Sequence, residues 1–372
     1  MRSTALKLLS AAAAAACLAA LSAPAQAGAS PFLDRFPTIT TVASAVPTIG
    51  PAAGDVNPYG VAVVPRTVGD LVRGDVLVSN FNSARNQQGT GSSIVEISPS
   101  GTAHVFAVVP PPTDDPFTGL TTALVALRSG YVVVGSLPAK DGMGANARAG
   151  ALSVISPTGH VVERIAGAPI NGPWDTTAVE HGDRATLFVT NVLNGTVAAG
   201  GNVVDRGTVV RIVLLSRRDQ APKVLSISVI ATGFAEHTDP NALVVGPTGV
   251  GLGPDGTLYV ADSVNNRIAA IPDALTRTTA LGGGGITLTS GGALNDPLGL
   301  AIAPEGQIIT ANGSDGRMVQ TSPAGVQVTS RTLVDPGAGD LFGLAIAPDA
   351  RGIYYVNDSG SGPQANSLDL LH

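Results

Sequence analysis

The stretch GPDGTLYVADSVNNRI, at residues 253–268, is the most informative segment of this sequence. It contains a Pro-Asp-Gly turn, an apolar strand that ends on Asp262, and a polar loop that leads to Arg267. The turn places proline and glycine where a tight reversal needs a fixed or a positive φ. Asp262 has two interpretations: it is either a chemically active carboxylate or a charged part of the scaffold.

The same strand–turn–strand pattern recurs along the chain. Its six copies lie at 59–80, 119–136, 175–191, 248–262, 298–312 and 342–358. A second turn of the form Ser-Pro-x-Gly follows three of them and joins a third strand to a fourth. No long segment shows helical periodicity, and a unit that recurs in this way is typical of repeat architectures.

Four short antiparallel strands per unit predict an all-β fold, a six-bladed β-propeller of four-stranded antiparallel blades. The last unit lacks a strand, whereas 36–46 is a lone strand without a blade. We therefore expect the N-terminal strand to complete the last blade and close the ring, which removes exposed sheet edges. The prediction is a single β-propeller domain over 28–372. Its blades are expected at about 57–109, 116–167, 170–234, 241–292, 294–334 and 338–372 plus 36–46.

The first residues predict an export signal rather than part of the fold. Arg2 and Lys7 precede an apolar run that is too short to span a bilayer, and a small-x-small site ends at Ala27. We expect a signal peptide at 1–27, cleavage after Ala27, and a periplasmic or secreted protein. A lipoprotein would instead begin at Cys17, but Ala14 stands where the lipid-attachment signal usually has leucine.

Composition excludes some partners. The formal net charge is −6 and no basic run occurs, so we expect no nucleic-acid partner. No later apolar run reaches the length of a spanning helix, so we expect no membrane span once the signal is removed. The sequence also lacks a G-x-S-x-G elbow, an H-E-x-x-H motif and a phosphate loop.

Aligning the six units places one polar residue at the end of every second strand. These residues are Asn80, Ser136, Asn191, Asp262, Asn312 and Asp358. Because a catalytic acid needs a distinct environment to move its pKa, the repetition argues against a unique role for Asp262. Asn, Asp and Ser bond locally to backbone amides at strand ends, which favours scaffold. These residues are also candidate binding residues, since the loops that follow them open around the channel on one face, which we call the channel-mouth face.

The stretch GPTGVGLGPDGTLYVADSVNNRI (246–268) resembles a consensus NHL repeat, and DPLGLAIAPEGQIITAN (296–312) is a weaker copy. The resemblance covers 248–334 well and 342–358 in part. NHL-type six-bladed propellers belong to a superfamily that resembles the senescence-marker/gluconolactonase and strictosidine-synthase-like proteins. The motif is specific for fold, while one such fold hosts many activities.

The resemblance to lactonases implies a divalent cation held by carboxylates and amides on the channel-mouth face. Ca²⁺ is one candidate, because it takes Asp and Asn oxygens. In that family one ligand is an Asp just before the Gly that opens a first strand. The corresponding positions here carry Tyr59, Thr118, Thr248, Leu298 and Phe342, and only Asp175 offers an acid, without the glycine. The departure puts a lactonase-type metal site in doubt.

The segment FAEHTDPNA (234–242), predicted to connect two blades at the channel mouth, holds the remaining candidates. His237 is the candidate general base, because mixed nitrogen and oxygen groups surround it. The candidate metal ligands are Glu236, His237, Asp239, Asp262 and Asp358. A polar loop with Asp-Pro is also the ordinary way to begin a propeller strand.

Three functions are compatible with these patterns, one of which is a purely structural envelope or matrix protein. The first is an exported, non-catalytic module that binds a protein, peptide or glycan on the channel-mouth face. The alternative is a metal-assisted hydrolase, lactonase- or esterase-like, or a lyase, with a channel-bound cation. Aromatic residues near first-strand starts, such as Trp174 and Phe342, are expected to plug the channel rather than to form a sugar-stacking platform.

Overall fold

A computed structural model describes residues 30–112, 117–359 and 365–372 of the chain. The predicted signal peptide and its cleavage site lie outside these residues. Strands make up most of the described chain, in agreement with the all-β prediction. They are β1 (Ile39–Ser44), β2 (Val56–Val63), β3 (Val76–Asn82), β4 (Ser93–Ile97), β5 (Ala103–Val108), β6 (Leu120–Ala126), β7 (Val132–Ser136), β8 (Ala151–Ile155), β9 (Val161–Ala166), β10 (Pro173–His181), β11 (Arg184–Asn191), β12 (Val204–Arg217), β13 (Gln220–Asp239), β14 (Leu243–Val245), β15 (Pro247–Leu252), β16 (Leu258–Asp262), β17 (Arg267–Ile271), β18 (Ile286–Ser290), β19 (Pro297–Ile302), β20 (Ile308–Asn312), β21 (Arg317–Thr321), β22 (Gln327–Thr332), β23 (Leu341–Ile346), β24 (Ile353–Asn357) and β25 (Ser367–Leu371).

Helical structure in the described residues is limited to single turns. They are the 3-10 turns Leu33–Arg35, Gly144–Asn146, Pro304–Gly306 and Pro348–Ala350, and α1 (Thr196–Ala199). Over the same residues, no helix has the length and apolar character needed to cross a membrane.

The described strands form six antiparallel sheets, which confirms the six predicted blades. In sequence order they are β2–β5, β6–β9, β10–β14, β15–β18, β19–β22, and β23–β25 together with β1. The order β1-β25-β24-β23 in the last sheet confirms that the N-terminal strand closes the ring. Thr38 and His372 exchange both backbone hydrogen bonds, at 2.9 and 2.8 Å, and so extend this closing pair.

Burial follows each strand's position in its blade. Every residue of β3 is buried, since neighbouring blades cover both of its faces. The outermost strand β22 alternates between half-buried and exposed side chains, as expected when one face meets solvent. The core therefore lies between blades, and the first strand of each blade lines the central channel.

Glycine allows the channel-lining strands to approach closely. A Cβ added at Gly299 would collide with the carbonyl oxygen of Phe342, and one added at Gly343 would collide with that of Tyr59. Gly249 meets the backbone of Leu298 in the same way. The absence of a side chain at these positions permits the tight ring of first strands.

Two predicted boundaries differ from the structure. Strand β13 continues through Asp239 and pairs with β14, so most of the predicted connection 234–242 is a strand and blade 3 has five strands. In the last blade Leu341 pairs with Asn357. Asp358 is thus one residue past the end of its second strand, and Asn357 is the sixth member of the repeated set.

Candidate functional site

A cavity of about 570 Å³ lies at the channel mouth, where the first strands begin. Side chains from several blades contribute to its wall. They include the aromatic residues Tyr59, Trp174 and Phe342, the carboxylic acids Asp239, Asp296 and Asp358, and the amides Asn57, Asn82, Asn86, Gln88 and Asn241. The cavity therefore combines an apolar floor with a polar rim.

The floor is an aromatic cluster centred on Tyr59. The ring centroids of Tyr59 and Phe342 are 4.2 Å apart, and Phe81 stacks on the other side of Tyr59 at 4.5 Å. Trp174 meets Tyr59 edge-on at 6.1 Å. Tyr59, Trp174 and Phe342 are buried in one core cluster and also form part of the cavity wall.

Asp358 and Asp296 place carboxyl groups in a poorly solvated environment. Burial, together with the charge of Asp340, raises the pKa of Asp358 to about 7. Burial also raises the pKa of Asp296, to which Ser314 Oγ donates at 3.4 Å, and the charge of Asp239 adds to this shift. An acid whose pKa lies near neutrality is able to give or take a proton at physiological pH.

Asp239 has a structural task at the same rim. Its Oδ1 accepts hydrogen bonds from the backbone N–H groups of Asn241 and Ala242, at 2.7 and 3.0 Å. These bonds shape the turn between β13 and β14. The Gln88 side chain donates a hydrogen bond to the backbone carbonyl oxygen of Asn241. Loops of blades 1 and 3 therefore meet beside the cavity.

Two buried amides at the cavity carry acceptors without a partner. The Oδ1 atoms of Asn57 and Asn82 make no hydrogen bond within the described part of the chain. The exposed fractions of these residues are 6% and 3%. Asn82 Nδ2 donates to Asn86 Oδ1 at 2.8 Å, which leaves its oxygen as the available group. An unsatisfied buried acceptor is costly, so these oxygens mark a place for a donor.

The predicted ring of strand-end residues does not line this cavity, apart from Asp358. Asn80 donates to the Ala45 carbonyl oxygen at 2.8 Å, and the Ser136 hydroxyl bonds the backbone of Ala151. The remaining members behave alike. Asn312 Nδ2 donates to the Ala293 carbonyl oxygen, and Asn191 Oδ1 accepts from Asn171 N. These contacts are those of scaffold.

Asp262, within the stretch 253–268, forms an ion pair. Its Oδ2 lies 2.7 Å from Arg267 Nε, and Asn265 Nδ2 donates to both carboxylate oxygens. Arg267 also donates to Thr287 and to the carbonyl oxygen of Gly284. The carboxylate is fully buried in blade 4 and is charge-compensated there.

Glu236 and His237 lie behind the rim rather than on the cavity wall. Glu236 is fully buried and its Oε1 accepts from Asn194 N at 2.8 Å. Burial is the main cause that raises the pKa of Glu236 to about 7. His237 Nδ1 lies 3.0 Å from the carbonyl oxygen of Thr238, and His237 pairs with Val245 across β13 and β14.

The candidate metal ligands do not come together. In residues 30–112, 117–359 and 365–372, no group of three or more His, Cys, Asp or Glu side chains is placed to hold a metal ion. Asp175 is the acid nearest to the position that the lactonase resemblance implies, but it does not line the channel-mouth cavity. Its oxygens accept from the backbone N–H groups of Thr176 and Val250. The five predicted ligands therefore do not form one metal site among the described residues.

Sequence reasoning missed Asn57, Asn82 and Asp296. Asn57 and Asp296 both precede a proline at the start of a channel-lining strand, in Asn57-Pro58 and Asp296-Pro297. Both also have a positive φ, of 60° and 54°, which Asn and Asp tolerate better than most residues. The repeated Asx-Pro dipeptide was therefore a usable signal for the cavity wall.

Comparison with known proteins supports the fold. Residues 245–271 match the family described as NHL repeat. Similar solved structures include a gluconolactonase from Xanthomonas campestris, 14% identical over 89% of this chain and 88% of that chain, with a TM-score of 0.54. A luciferin-regenerating enzyme is 14% identical over 90% and 94%, with a TM-score of 0.54. A streptogramin B lyase is 16% identical over 90% and 97%, with a TM-score of 0.50. No curated protein matches the sequence.

At these identities the likeness shows the fold alone. The chain is a six-bladed β-propeller that carries an NHL repeat at residues 245–271, and solved structures similar to it include gluconolactonase.

Proposed function

We propose that this protein binds a small organic molecule in the cavity at the channel mouth. The observation that carries the proposal is the convergence of aromatic rings, poorly solvated carboxyl groups and unpartnered amide oxygens on one concave space. Aromatic surface and convergent polar groups around one concave space are typical of ligand sites. The concave shape favours a small molecule, or the end of a glycan or peptide, over a flat protein surface.

A second candidate is a hydrolase or lyase that uses the same cavity. Asp358 favours it, because a carboxylic acid with a pKa of about 7 can act as a general acid or base. The similar gluconolactonase and streptogramin B lyase are enzymes by their names, so proteins with this fold include catalysts. The residues of this chain supply the acid, the aromatic floor and the hydrogen-bonding rim.

The binding proposal is tested with a broad panel of small acids, bases, sugars and neutral compounds. Trp174, the only tryptophan of the chain, lines the cavity, so its fluorescence reports binding there directly. A ligand should also raise Tm in a concentration-dependent way. The variant Leu298→Phe, which narrows the cavity from its wall without adding a second tryptophan, should weaken both signals, whereas Asp219→Asn on an exposed turn should keep them. A panel without one binder contradicts the proposal.

Turnover is tested with ester and lactone substrates. If the cavity is catalytic, Asp358→Asn should remove activity while the Tm remains that of a folded protein. Ligand binding without turnover would favour the non-catalytic function.

Export and a cation remain proposals with direct tests. N-terminal sequencing of the exported protein should begin at Gly28. Elemental analysis of protein purified without chelator decides whether a divalent cation such as Ca²⁺ is retained. A bound equivalent lost in Asp358→Asn would place it in the cavity, and loss in Asp262→Ala would point to blade 4 instead.

A further inference from the structure

We infer that the ligand of the channel-mouth cavity is an organic cation, a primary or secondary ammonium attached to an apolar body. The inference rests on the proposed function, because it names the ligand class of the same cavity. Three independent features carry it: the charge of the wall, its free hydrogen-bond acceptors and its aromatic floor.

The charge of the cavity wall has one sign. Three carboxylic acids, Asp239, Asp296 and Asp358, line the cavity, and no Lys, Arg or His among the described residues does so. Within the same residues, neither an ion pair nor a hydrogen bond engages the Asp358 side chain. The contrast with Asp262, another buried acid, is direct, because Arg267 compensates the charge of Asp262. No cation among the described residues compensates Asp358 in this way.

The unpartnered acceptor oxygens on the cavity wall favour a ligand that carries hydrogen-bond donors. Asn57 Oδ1 and Asn82 Oδ1 are more than nine-tenths buried on the cavity wall and have no partner in the described chain. A primary ammonium carries three N–H donors and no acceptor, so it satisfies amide oxygens and a carboxylate together. A carboxylate or phosphate ligand would instead meet acceptors and like charges on this wall.

The aromatic floor suits the same ligand. Trp174 and Phe342 line the cavity beside Tyr59, and aromatic ring faces attract cations. Burial raises the pKa of the Tyr59 phenol and the charges of Asp358 and Asp296 raise it further, whereas a hydrogen bond with Asn57 lowers it. An apolar body packs on the rings while its ammonium group reaches the acids.

The test uses matched series built on benzyl, phenethyl and cyclohexylmethyl groups. Each group is offered as the primary ammonium, the neutral alcohol, the carboxylate and the trimethylammonium. Binding is measured at pH 8 by Trp174 fluorescence and by titration calorimetry. We expect the primary ammonium to bind about tenfold more tightly than the alcohol, as is usual for a charge-assisted hydrogen bond, and the carboxylate not to bind. The trimethylammonium should be weaker than the primary ammonium, because it has no N–H for Asn57 and Asn82.

Variants locate the charge that is recognised. Asp358→Asn and Asp296→Asn keep shape and remove charge, so each should weaken ammonium binding and leave alcohol binding nearly unchanged. Asp219→Asn removes the same charge from an exposed turn and is the control for long-range electrostatics. Circular dichroism confirms that each variant is folded.

The outcomes separate this inference from the proposed function. If alcohols or carboxylates bind as tightly as the ammonium compounds, the cavity is a ligand site but not one for cations. If no ammonium compound of any series binds, the inference is wrong, and binding of sugars or acids from the broader panel would still uphold the proposed function. If Asp219→Asn weakens binding as much as Asp358→Asn, recognition by the cavity carboxylates is wrong.

Discussion

Asp262 and Arg267 are cross-strand partners in β16 and β17, and the carboxylate oxygen of one lies 2.7 Å from the guanidinium nitrogen of the other. The pair explains why a charged residue ends a buried strand in the stretch 253–268. Asp262 is fully buried, and among the described residues Arg267 and Asn265 stabilise its charge.

Removing one partner of this pair should destabilise the protein. We expect Asp262→Ala to lower the free energy of unfolding by about 3–5 kcal/mol, since Arg267 is left without its counter-charge. The matched control is Asp183→Ala, because Asp183 pairs with Arg217 at 3.0 Å on an exposed surface. That change should cost about 0–1 kcal/mol. Urea unfolding followed by circular dichroism measures both, and equal effects would contradict the role of burial.

Glu236 should make stability depend on pH. Its pKa is raised to about 7, mainly by burial, whereas an unfolded chain has a value of about 4.3. The folded state therefore holds the proton more tightly. This contribution to stability is complete below about pH 4 and is lost as the pH rises through about 7.

Glu236→Gln removes this titration while keeping an acceptor for Asn194 N. The loss of unfolding free energy between pH 5 and pH 8 should be smaller in this variant than in the parent protein. Glu163→Gln, on an exposed face of β9, is the control and should follow the parent protein. If the free energy of unfolding changes with pH identically in the parent protein and in Glu236→Gln, then Glu236 is not the source of the pH dependence.

The glycine ring around the channel predicts a steric effect. Gly343→Ala should lower the free energy of unfolding by about 1–3 kcal/mol, because the new Cβ collides with the Tyr59 backbone. Gly282→Ala is the control, since nothing lies within 4 Å of a Cβ there. Its effect should stay within about 0.5 kcal/mol. Thermal and urea unfolding of the two variants would reveal whether the first strands have room to spread.

Ring closure predicts a difference between adjacent residues of β1. Thr38 and His372 exchange both backbone hydrogen bonds, so the N–H of Thr40 also points to β25 and that of Ile39 points away. We expect Thr40→Pro to cost about 1–3 kcal/mol, since one closing bond is lost. Ile39→Pro should be tolerated better, because proline is accepted on the free edge of a strand. Similar melting temperatures for the two variants would contradict the assigned pairing.

The fold was predictable because its signals are local. Alternating strands, the Pro-Asp-Gly turn and the Ser-Pro-x-Gly turn each lie within a few residues, and their repetition specifies blades. The partner of the lone strand at 36–46 could be assigned by elimination, since only the last blade lacked a strand. The shift of one residue at Asp358 arose where the turn of the last unit is one residue longer than the turns of the two units before it.

The cavity was harder to predict, because its wall is assembled from residues far apart in the chain. Gln88 and Asn241 are 153 positions apart in the sequence, and no local pattern around either residue predicts their contact. The extension of β13 through Asp239 also turned an expected loop into a strand. Burial, which sets the pKa of Asp358 and of Glu236, is a property of the packed blades and cannot be read from spacing.

The pairing of β1 with β25 also dictates an order of assembly. The two strands are separated by more than three hundred residues, as the 332 positions between Thr40 and His372 show. A growing chain cannot complete the last blade until all the others have been synthesised. Closing so long a loop adds little to the thermodynamic cost, which grows only with the logarithm of its length. Strand β1 therefore stays unpaired with β25 during synthesis, and the ring of blades closes in a late step of folding.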